Sequence, residues 1–363
     1  MGQLILAPFF MTSYSGKYNS KLHYWSVLTT ICTFILIFIG GLVKSTESGL
    51  SVPDWPTTYG ENMFLFPLSS MVGGILYEHG HRLFASLVGF LILVQTFWIL
   101  LKENRRWLIK LSIITLFTVI IQGLLGGLTV HFLLPVWISA LHGIIAQTTL
   151  CITVLISVST SKSWIQSSKE IVSSKIFKIA STVTILIWIQ LVLGAVMRHS
   201  ESGLVAFDFP SMNGDLVPSV ERVYDYNEIR NDFIWDNIDN SDSELIQRHI
   251  LDEHLEPITP FKILIHFSHR FWAFIVLGGI SILFFVVIRD SNSSELMKIS
   301  VIFLLIIGLL QILLGVFSIW SIRDIIITTL HVGNGSLVLA ISFYISIWSY
   351  RLKNVNDKKA SKI

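Results

Sequence analysis

The chain has 363 residues, of which 52% are hydrophobic and only 14% are charged, and its mean hydropathy is +0.67. Soluble domains carry roughly 25% charged residues, so this composition excludes an ordinary soluble enzyme. The formal net charge of +2 gives no sign of a nucleic-acid partner, and we expect none.

Eight apolar runs are each long enough to cross a bilayer, which takes about 20 residues of α-helix. We predict membrane helices at 24–44, 73–101, 109–131, 136–159, 176–198, 262–288, 297–320 and 325–349. The predicted fold class is therefore an all-α polytopic membrane protein.

The distribution of Lys and Arg predicts how these helices are oriented, since basic residues concentrate on the cytoplasmic side. Together, 17 of the 26 basic residues fall in the segments 1–23, 102–110, 160–178, 289–298 and 350–363. All five segments lie on one side of the membrane, so we expect both termini to be cytoplasmic in a multi-pass protein of the bacterial cell membrane.

The opposite side carries the loop 45–72 and the long segment 199–261. In that segment, 13 of the 24 carboxylates lie between Val205 and Pro257. We interpret this acidic region as a solvated, partly disordered insertion. A partner-binding surface is the alternative.

An internal repeat organises the chain. Gln122 and Gln311 each stand twenty residues before a histidine, at His142 and His331. Upstream, the segment Lys44–Pro56 matches Arg198–Pro210, with the shared sequence Glu-Ser-Gly-Leu followed by Asp, an aromatic residue and Pro. Each repeat contains four helices, and an even number returns the chain to its starting side. The halves should therefore have the same orientation.

We thus predict two tandem four-helix bundles joined by a short linker. The predicted parts are an N-terminal tail 1–23, an N-terminal bundle 24–159, a cytoplasmic linker 160–175, a C-terminal bundle 176–349 that includes the outer loop 199–261, and a tail 350–363.

Four of the eleven histidines recur in the two halves and sit one or two turns inside their helices. They are His81, His142, His269 and His331. Ionisable groups within a membrane usually mark a functional site. A zinc ion would need further ligands, whereas a heme iron needs only two axial nitrogens, and helix bundles commonly hold such groups. Each half is therefore a candidate heme site. For the histidines at helix ends or in loops we expect a solvated role: His23, His131, His199, His249 and His254.

The halves differ three residues before the first histidine, where one has Glu78 and the other has His266. Residues three apart share a helix face, so Glu78 should point toward the pocket of His81. A carboxylate there can relay protons, which makes the N-terminal half the candidate for chemistry. Arg82 and Arg270 follow the first histidine of each half, where a guanidinium could either pair with heme propionates or reach the lipid headgroups.

At these residues the chain resembles the heme A synthase family. The resemblance rests on the Glu-x-x-His-Arg motif at Glu78–Arg82, on the three later histidines, on Tyr77, and on the Glu47–Leu50 stretch with its following Asp-Trp-Pro. It covers nearly the whole membrane region. Some family members carry a cysteine pair in an outer loop. Here Cys32 and Cys151 lie in apolar runs, so we expect neither a loop disulfide nor a cysteine metal site.

The resemblance implies oxidation of the C8 methyl of heme O to a formyl group, through hydroxymethyl and gem-diol stages, giving heme A for terminal oxidases. It implies that His81 and His142 flank the substrate heme O, that His269 and His331 ligate a resident heme B, and that Glu78 is the catalytic carboxylate. Arg82, Arg270 and His266 would contact the cofactors. A heme O synthase, an electron donor and membrane lipid are the expected partners.

Three other functions use the same features. A b-type diheme electron-transfer cytochrome would need the four histidines but not Glu78. A heme exporter built on parallel repeats is disfavoured, because no Pro breaks a predicted helix near mid-membrane. A non-catalytic oxidase assembly factor would use the acidic loop for binding.

Overall fold

The computed structural model describes residues 18–166, 173–239 and 256–360. Within them, eight helices are long and apolar enough to cross a membrane, which confirms the predicted class. In chain order, α1 to α8 are Ser20–Ser45, Gly74–Lys102, Arg106–His131, Val136–Thr160, Ser174–His199, Pro260–Arg289, Glu295–Trp320 and Ile325–Ala360. The apolar part of α8 ends at Leu352.

Most predicted helix ends lie within a few residues of the observed ones, and the start of α1 shows why they differ. The side chain of Asn19 accepts a hydrogen bond from the backbone N–H of Leu22 at 3.1 Å. This is an N-cap, and it begins α1 at Ser20 rather than at 24. His23 consequently lies inside the helix and not in a tail.

The eight helices contact one another in two rings. Helix α1 packs on α2 and α4, and α3 packs on the same two helices. In the second half, α5 packs on α6 and α8, and α7 does likewise. Contacts of α1 and α4 with α8, and of α4 with α5, join the rings. This is the packing expected of two four-helix bundles, and the division into two bundles of equal orientation stays our interpretation.

The repeat extends to the backbone of the loops that follow α1 and α5. Lys44 at the end of α1 contacts Glu201 after the end of α5, so both loops begin on one side, which we call the loop side. The side where α1 begins and α8 ends is the termini side. Each loop contains a short antiparallel bridge, Thr58 to Glu61 in one and Met212 to Asp215 in the other. Matched residues adopt the same left-handed φ, near 53° at Glu47 and 51° at Glu201.

The described part of the acidic loop is folded, although several of its side chains are exposed. It contains a helix, Val223–Asp239, whose Tyr226 is fully buried and donates its hydroxyl hydrogen to the carbonyl of Met212 at 3.1 Å. The guanidinium of Arg230 donates to the carbonyl of Glu256 at 2.9 Å. The interpretation as a partly disordered insertion was therefore wrong for residues 205–239. His249, His254 and residues 240–255 lie outside the described residues.

Candidate functional site

The four repeated histidines lie on alternate helices, near the loop side. His81 is on α2 and His142 on α4, whereas His269 is on α6 and His331 on α8. Within each half these two helices lie opposite each other in the ring, since each packs on the same two neighbouring helices. The Nδ1 atoms of His81, His142 and His331 are buried, so these rings do not point into lipid. The two histidines of each predicted pair are therefore on opposite helices of one ring, and both their pairing around an iron and their role as ligands stay predictions.

Each of these rings packs against a glycine on the preceding helix. A Cβ added to the glycine would lie close to the ring Cε1 atom: 3.1 Å at Gly40 against His81, 3.6 Å at Gly126 against His142, 2.9 Å at Gly194 against His269, and 3.1 Å at Gly315 against His331. Carbon atoms normally pack at about 3.5–4.0 Å. At three of the four positions, any side chain would therefore have to displace the imidazole.

Glutamine side chains hold three of the four histidine backbones. Gln122 donates to the carbonyl of His142 at 2.9 Å, and Gln311 donates to that of His331 at 3.0 Å. A third glutamine on α5, Gln190, donates to the carbonyl of His269 at 3.0 Å. The matching position of the first half is Leu36. His81 therefore lacks the amide donor that braces its counterpart.

Glu78 and Arg82 attach the loop side of α2 to the preceding loop. Glu78 is buried, and its carboxylate accepts from the Arg82 guanidinium at 2.6 Å and from the backbone N–H of Val52 at 2.7 Å. Arg82 also donates to the carbonyls of Val52, Asp54 and Thr57 at 2.7–3.2 Å. A buried ion pair is costly unless its remaining hydrogen bonds are satisfied, and the loop backbone satisfies them here.

Arg270 makes the matching contacts in the second half. It donates to the carbonyls of Ala206, Asp208 and Ser211 at 2.7–2.9 Å. His266, which stands in the place of Glu78, is buried, and its Nδ1 atom has no partner among the described residues. Both arginines therefore bind loop carbonyls, which neither sequence-based interpretation anticipated. Contact with propionates stays a prediction.

A carboxylate shapes each of these loops. Asp54 accepts from the backbone N–H groups of Tyr59 and Gly60 at 2.7 and 2.8 Å. Desolvation raises the pKa of Asp54, but the hydrogen bonds from Gly60, Thr57 and Tyr59 outweigh it and lower the pKa to about 2. Asp208 accepts from Asn213 and Gly214 in the same way. These turns fix the carbonyls that the arginines bind.

A second buried polar pair, besides Glu78 and Arg82, distinguishes the N-terminal half from its counterpart. The His79 Nδ1 atom lies 3.0 Å from the hydroxyl of Thr58, and neither residue is exposed. The matching residues are Phe267 and Met212. Sequence reasoning did not single out His79, although its absence from the second copy of the motif was a readable signal.

An ionic cluster joins the two halves at the loop side. Glu201 accepts from Lys44 at 2.5 Å and from Arg323. Burial raises the pKa of Glu201, but the charges of Arg323 and Lys44 outweigh this effect and lower it to about 2. Nearby, Arg198 donates to the carbonyl of Gly41 at 2.9 Å and to the hydroxyl of Ser45 at 2.7 Å. The cluster connects α1 with α5 and with the α7–α8 loop.

The residues present fit a heme with two axial imidazoles in each half. Each half has two partly buried histidines on opposite helices of its ring, and three of the four Nδ1 atoms are buried without a partner among the described residues. No group of three or more His, Cys, Asp or Glu side chains converges in the described ranges. This donor set suits a heme iron better than zinc, which takes three or four protein ligands.

Comparison with known proteins identifies the family. The sequence profile of the cytochrome oxidase assembly protein family (COX15-CtaA) matches residues 23–343, which is most of the chain. The chain belongs to this family. The match spans all four repeated histidines and the Glu78–Arg82 motif.

Individual relatives agree with the profile. A heme A synthase of Listeria monocytogenes is 23% identical over 336 residues, which cover 91% of this chain and 96% of the relative. A heme A synthase of Alkalihalophilus pseudofirmus is 29% identical over 56% of this chain and 68% of the relative. One from Shouchella clausii is 30% identical over 53% and 64% respectively.

Proposed function

We propose that this protein is an oxidoreductase that converts heme O to heme A in the membrane, by oxidising the C8 methyl group to a formyl group. The observation that carries the proposal is the pair of repeated two-histidine sites with a buried carboxylate, Glu78, beside only one of them. Relatives named heme A synthase support it, as does the family match over residues 23–343.

In this proposal the N-terminal half is the substrate site. His81 and His142 flank heme O, and the methyl group passes through hydroxymethyl and gem-diol stages before water is lost. Glu78 accepts and returns protons next to the reacting carbon. Its ion pair with Arg82 at 2.6 Å keeps the carboxylate in place within an apolar helix bundle.

The C-terminal half is the cofactor site. His269 and His331 would hold a heme B, which supplies one-electron transfer when it is bound. Gln190 and Gln311 orient the two histidine backbones through their hydrogen bonds of 3.0 Å. His266 replaces the carboxylate, so this half has no comparable acid for substrate chemistry.

The remaining residues and partners take supporting roles. Arg82 and Arg270 fix the loops over the two sites, and we propose that these loop-side positions also place them near the propionates. Both termini would be cytoplasmic. A heme O synthase would deliver the substrate within the membrane, and an electron partner would exchange electrons with the C-terminal half.

A diheme electron-transfer cytochrome is the second candidate, favoured by the near-identical glycine and histidine packing of both halves. Co-expression with a heme O synthase, followed by pigment extraction and chromatography, distinguishes the two. The proposed enzyme yields heme A, whereas an electron carrier yields no heme A and leaves the heme O unconverted.

The Glu78→Gln variant tests the chemical role, because glutamine keeps the size of the side chain and removes its charge. We expect heme O or a hydroxylated intermediate to accumulate, while the b-type spectrum of the C-terminal half is kept. Glu61→Gln, which changes an exposed carboxylate in the same loop, is the matched control. A normal yield of heme A from Glu78→Gln would remove the carboxylate from the mechanism.

A further inference from the structure

The two bundles have similar helices but chemically different cores on the termini side of the histidines. Seven matched positions, spread over all four helices of each half, are buried in both copies. In the N-terminal half they are Ser26, Thr29, Thr33, Gln95, Ser112, Thr115 and Thr149; in matching order, the C-terminal half has Ala180, Val183, Ile187, Leu283, Val301, Leu304 and Val338. Every polar residue of the first set is replaced by an aliphatic one in the second.

The positions of the seven aliphatic residues in the second bundle indicate where the seven matched polar residues lie in the first. All seven C-terminal residues belong to one contiguous hydrophobic cluster, at the centre of the α5–α8 ring. Since the two rings are built from matched helices, the seven polar residues converge on the centre of the α1–α4 ring. A direct contact supports this placement, because Thr96 beside Gln95 donates from α2 to the carbonyl of Ser112 on α3 at 3.1 Å.

Close helix packing does not account for the polar set. Small residues at helix contacts let backbones approach, but only three of the seven N-terminal residues, Thr33, Ser112 and Thr115, are smaller than their counterparts. Thr29 and Val183 have the same shape, as do Thr149 and Val338, and Gln95 is larger than Leu283. At the other four positions the polar side chain is no smaller than the aliphatic one, so close packing does not explain the polarity there.

The buried amide of Gln95 is independent evidence that this core binds a polar ligand. It is only 1% exposed, and neither its amide nitrogen nor its amide oxygen has a hydrogen-bond partner among the described residues. A buried amide without partners costs about 1–3 kcal/mol, and native proteins usually satisfy such groups with protein or water. The two N–H donors and the acceptor oxygen of the Gln95 amide can therefore bind a hydrogen-bonding ligand in this core.

The surrounding hydroxyls can bind the same ligand. Thr29, Thr33 and Thr115 each donate their hydrogen to a carbonyl of their own helix at 2.8–2.9 Å. Their oxygen lone pairs remain free to accept hydrogen bonds. A small molecule that both donates and accepts fits this shell of acceptors around an amide, and water is the one that is always present.

The polar core also reaches the termini side. There, the ring of His23 lies 3.2 Å from the carbonyl of Ser157 and 3.4 Å from the hydroxyl of Thr160, one helical turn before Ser26. Gln95 lies 14 residues beyond His81 on α2, about 20 Å along the helix axis. Polar side chains therefore line the interior from the termini side as far as Thr33, which lies seven residues, about 10 Å along α1, before the glycine that packs on His81.

We propose that this polar core is a water-permeable path that carries protons between the termini side and the N-terminal site. Its destination rests on the proposed function. Converting a methyl group to a formyl group releases four protons and four electrons if water supplies the oxygen atom. It consumes four protons and four electrons if two molecules of dioxygen are used and three of water are formed. Protons must reach or leave the site in either case, whereas the electron-transfer half, which is aliphatic at the seven matched positions, needs no proton path.

Thiol hydrogen exchange tests the hydration directly. Thr29→Cys and its matched control Val183→Cys are made separately in a background of Cys32→Ala and Cys151→Ala, which removes the native thiols. After transfer of lipid-reconstituted protein into D2O, infrared spectroscopy follows the loss of the S–H stretching band. A dry core exchanges only through rare opening, so we expect the thiol at position 29 to exchange at least about 100-fold faster than that at position 183. Equal rates would overturn the proposal.

Turnover tests the transport step separately. Gln95→Leu introduces the residue of the C-terminal half and should slow heme A formation severalfold, whereas Gln95→Asn, which keeps the amide, should not. The b-type spectrum should be unchanged in both. Rapid exchange at position 29 with normal turnover in Gln95→Leu would overturn the role as a path. If the wild-type protein formed no heme A, the proposed function would fail, while the thiol comparison would still judge the hydrated core.

Discussion

The glycine that packs against each histidine makes a graded prediction about heme retention. At Gly194, an added Cβ would lie 2.9 Å from the Cε1 atom of His269. Because carbon contacts are about 3.5–4.0 Å, the Gly194→Ala methyl group must push the imidazole by about 0.6 Å or more. The ring cannot yield freely, since Gln190 holds the His269 backbone at 3.0 Å.

The cost follows from two opposing effects. Overpacking of this kind costs about 1–3 kcal/mol, and alanine recovers about 1 kcal/mol through its higher helix propensity. The difference leaves a net strain of about 0–2 kcal/mol. If about 1.4 kcal/mol of it falls on the ligand geometry, heme binding in the C-terminal half weakens about tenfold. The fold itself should survive, because the recovered helix propensity offsets part of the strain.

The assay is the ratio of heme B to protein after purification, together with the low-spin b-type spectrum. Gly278→Ala is the control on the same helix as His269, because nothing lies within 4 Å of a Cβ at that position. Gly126→Ala is a second control, since its Cβ would meet His142 at an ordinary 3.6 Å. Full heme content and an unshifted spectrum in Gly194→Ala, or an equal loss in Gly278→Ala, would refute the reasoning.

Two further predictions concern the loop side. His79→Phe leaves the hydroxyl of Thr58 buried and unpaired, which should lower the free energy of unfolding by about 1–3 kcal/mol in a thermal assay. Adding Thr58→Met, which copies the second half, should restore most of that stability. If the losses from the two substitutions simply add, the pairing is contradicted. Glu201→Gln should lower the unfolding temperature at pH 7, with a loss of about 1–2 kcal/mol once solvent screening is discounted. Because the pKa of Glu201 is lowered to about 2, its contribution is complete above about pH 4.5 and disappears as the pH falls toward 2. The difference between wild type and Glu201→Gln should therefore vanish in acid, and a constant difference would contradict it.

The sequence predicted the membrane helices and the paired histidines because both are local signals. Runs of about 20 apolar residues determine a membrane helix almost regardless of context. The repeated positions of His142 and His331 required only counting. The late end of α8 and the early start of α1 were less visible, since they depend on caps and on polar residues that extend a helix beyond the apolar run.

Contacts between helices could not be predicted in the same way. The packing of Gly194 on His269 depends on how α5 and α6 are rotated about their axes, which the sequence does not specify. The binding of Arg82 and Arg270 to backbone carbonyls could not be predicted, because every residue has a carbonyl and no residue type marks the acceptors. Gln95 was readable as a polar residue in an apolar run, but its significance appears only when the matched cores are compared.

The central claim is that the two halves hold different hemes through different histidine pairs. Heme extraction from protein co-expressed with a heme O synthase, in the His81→Ala and His269→Ala variants, tests it most directly. The account predicts that His269→Ala loses heme B and keeps the farnesylated heme, and that His81→Ala does the reverse. Loss of the same heme from both variants would contradict it.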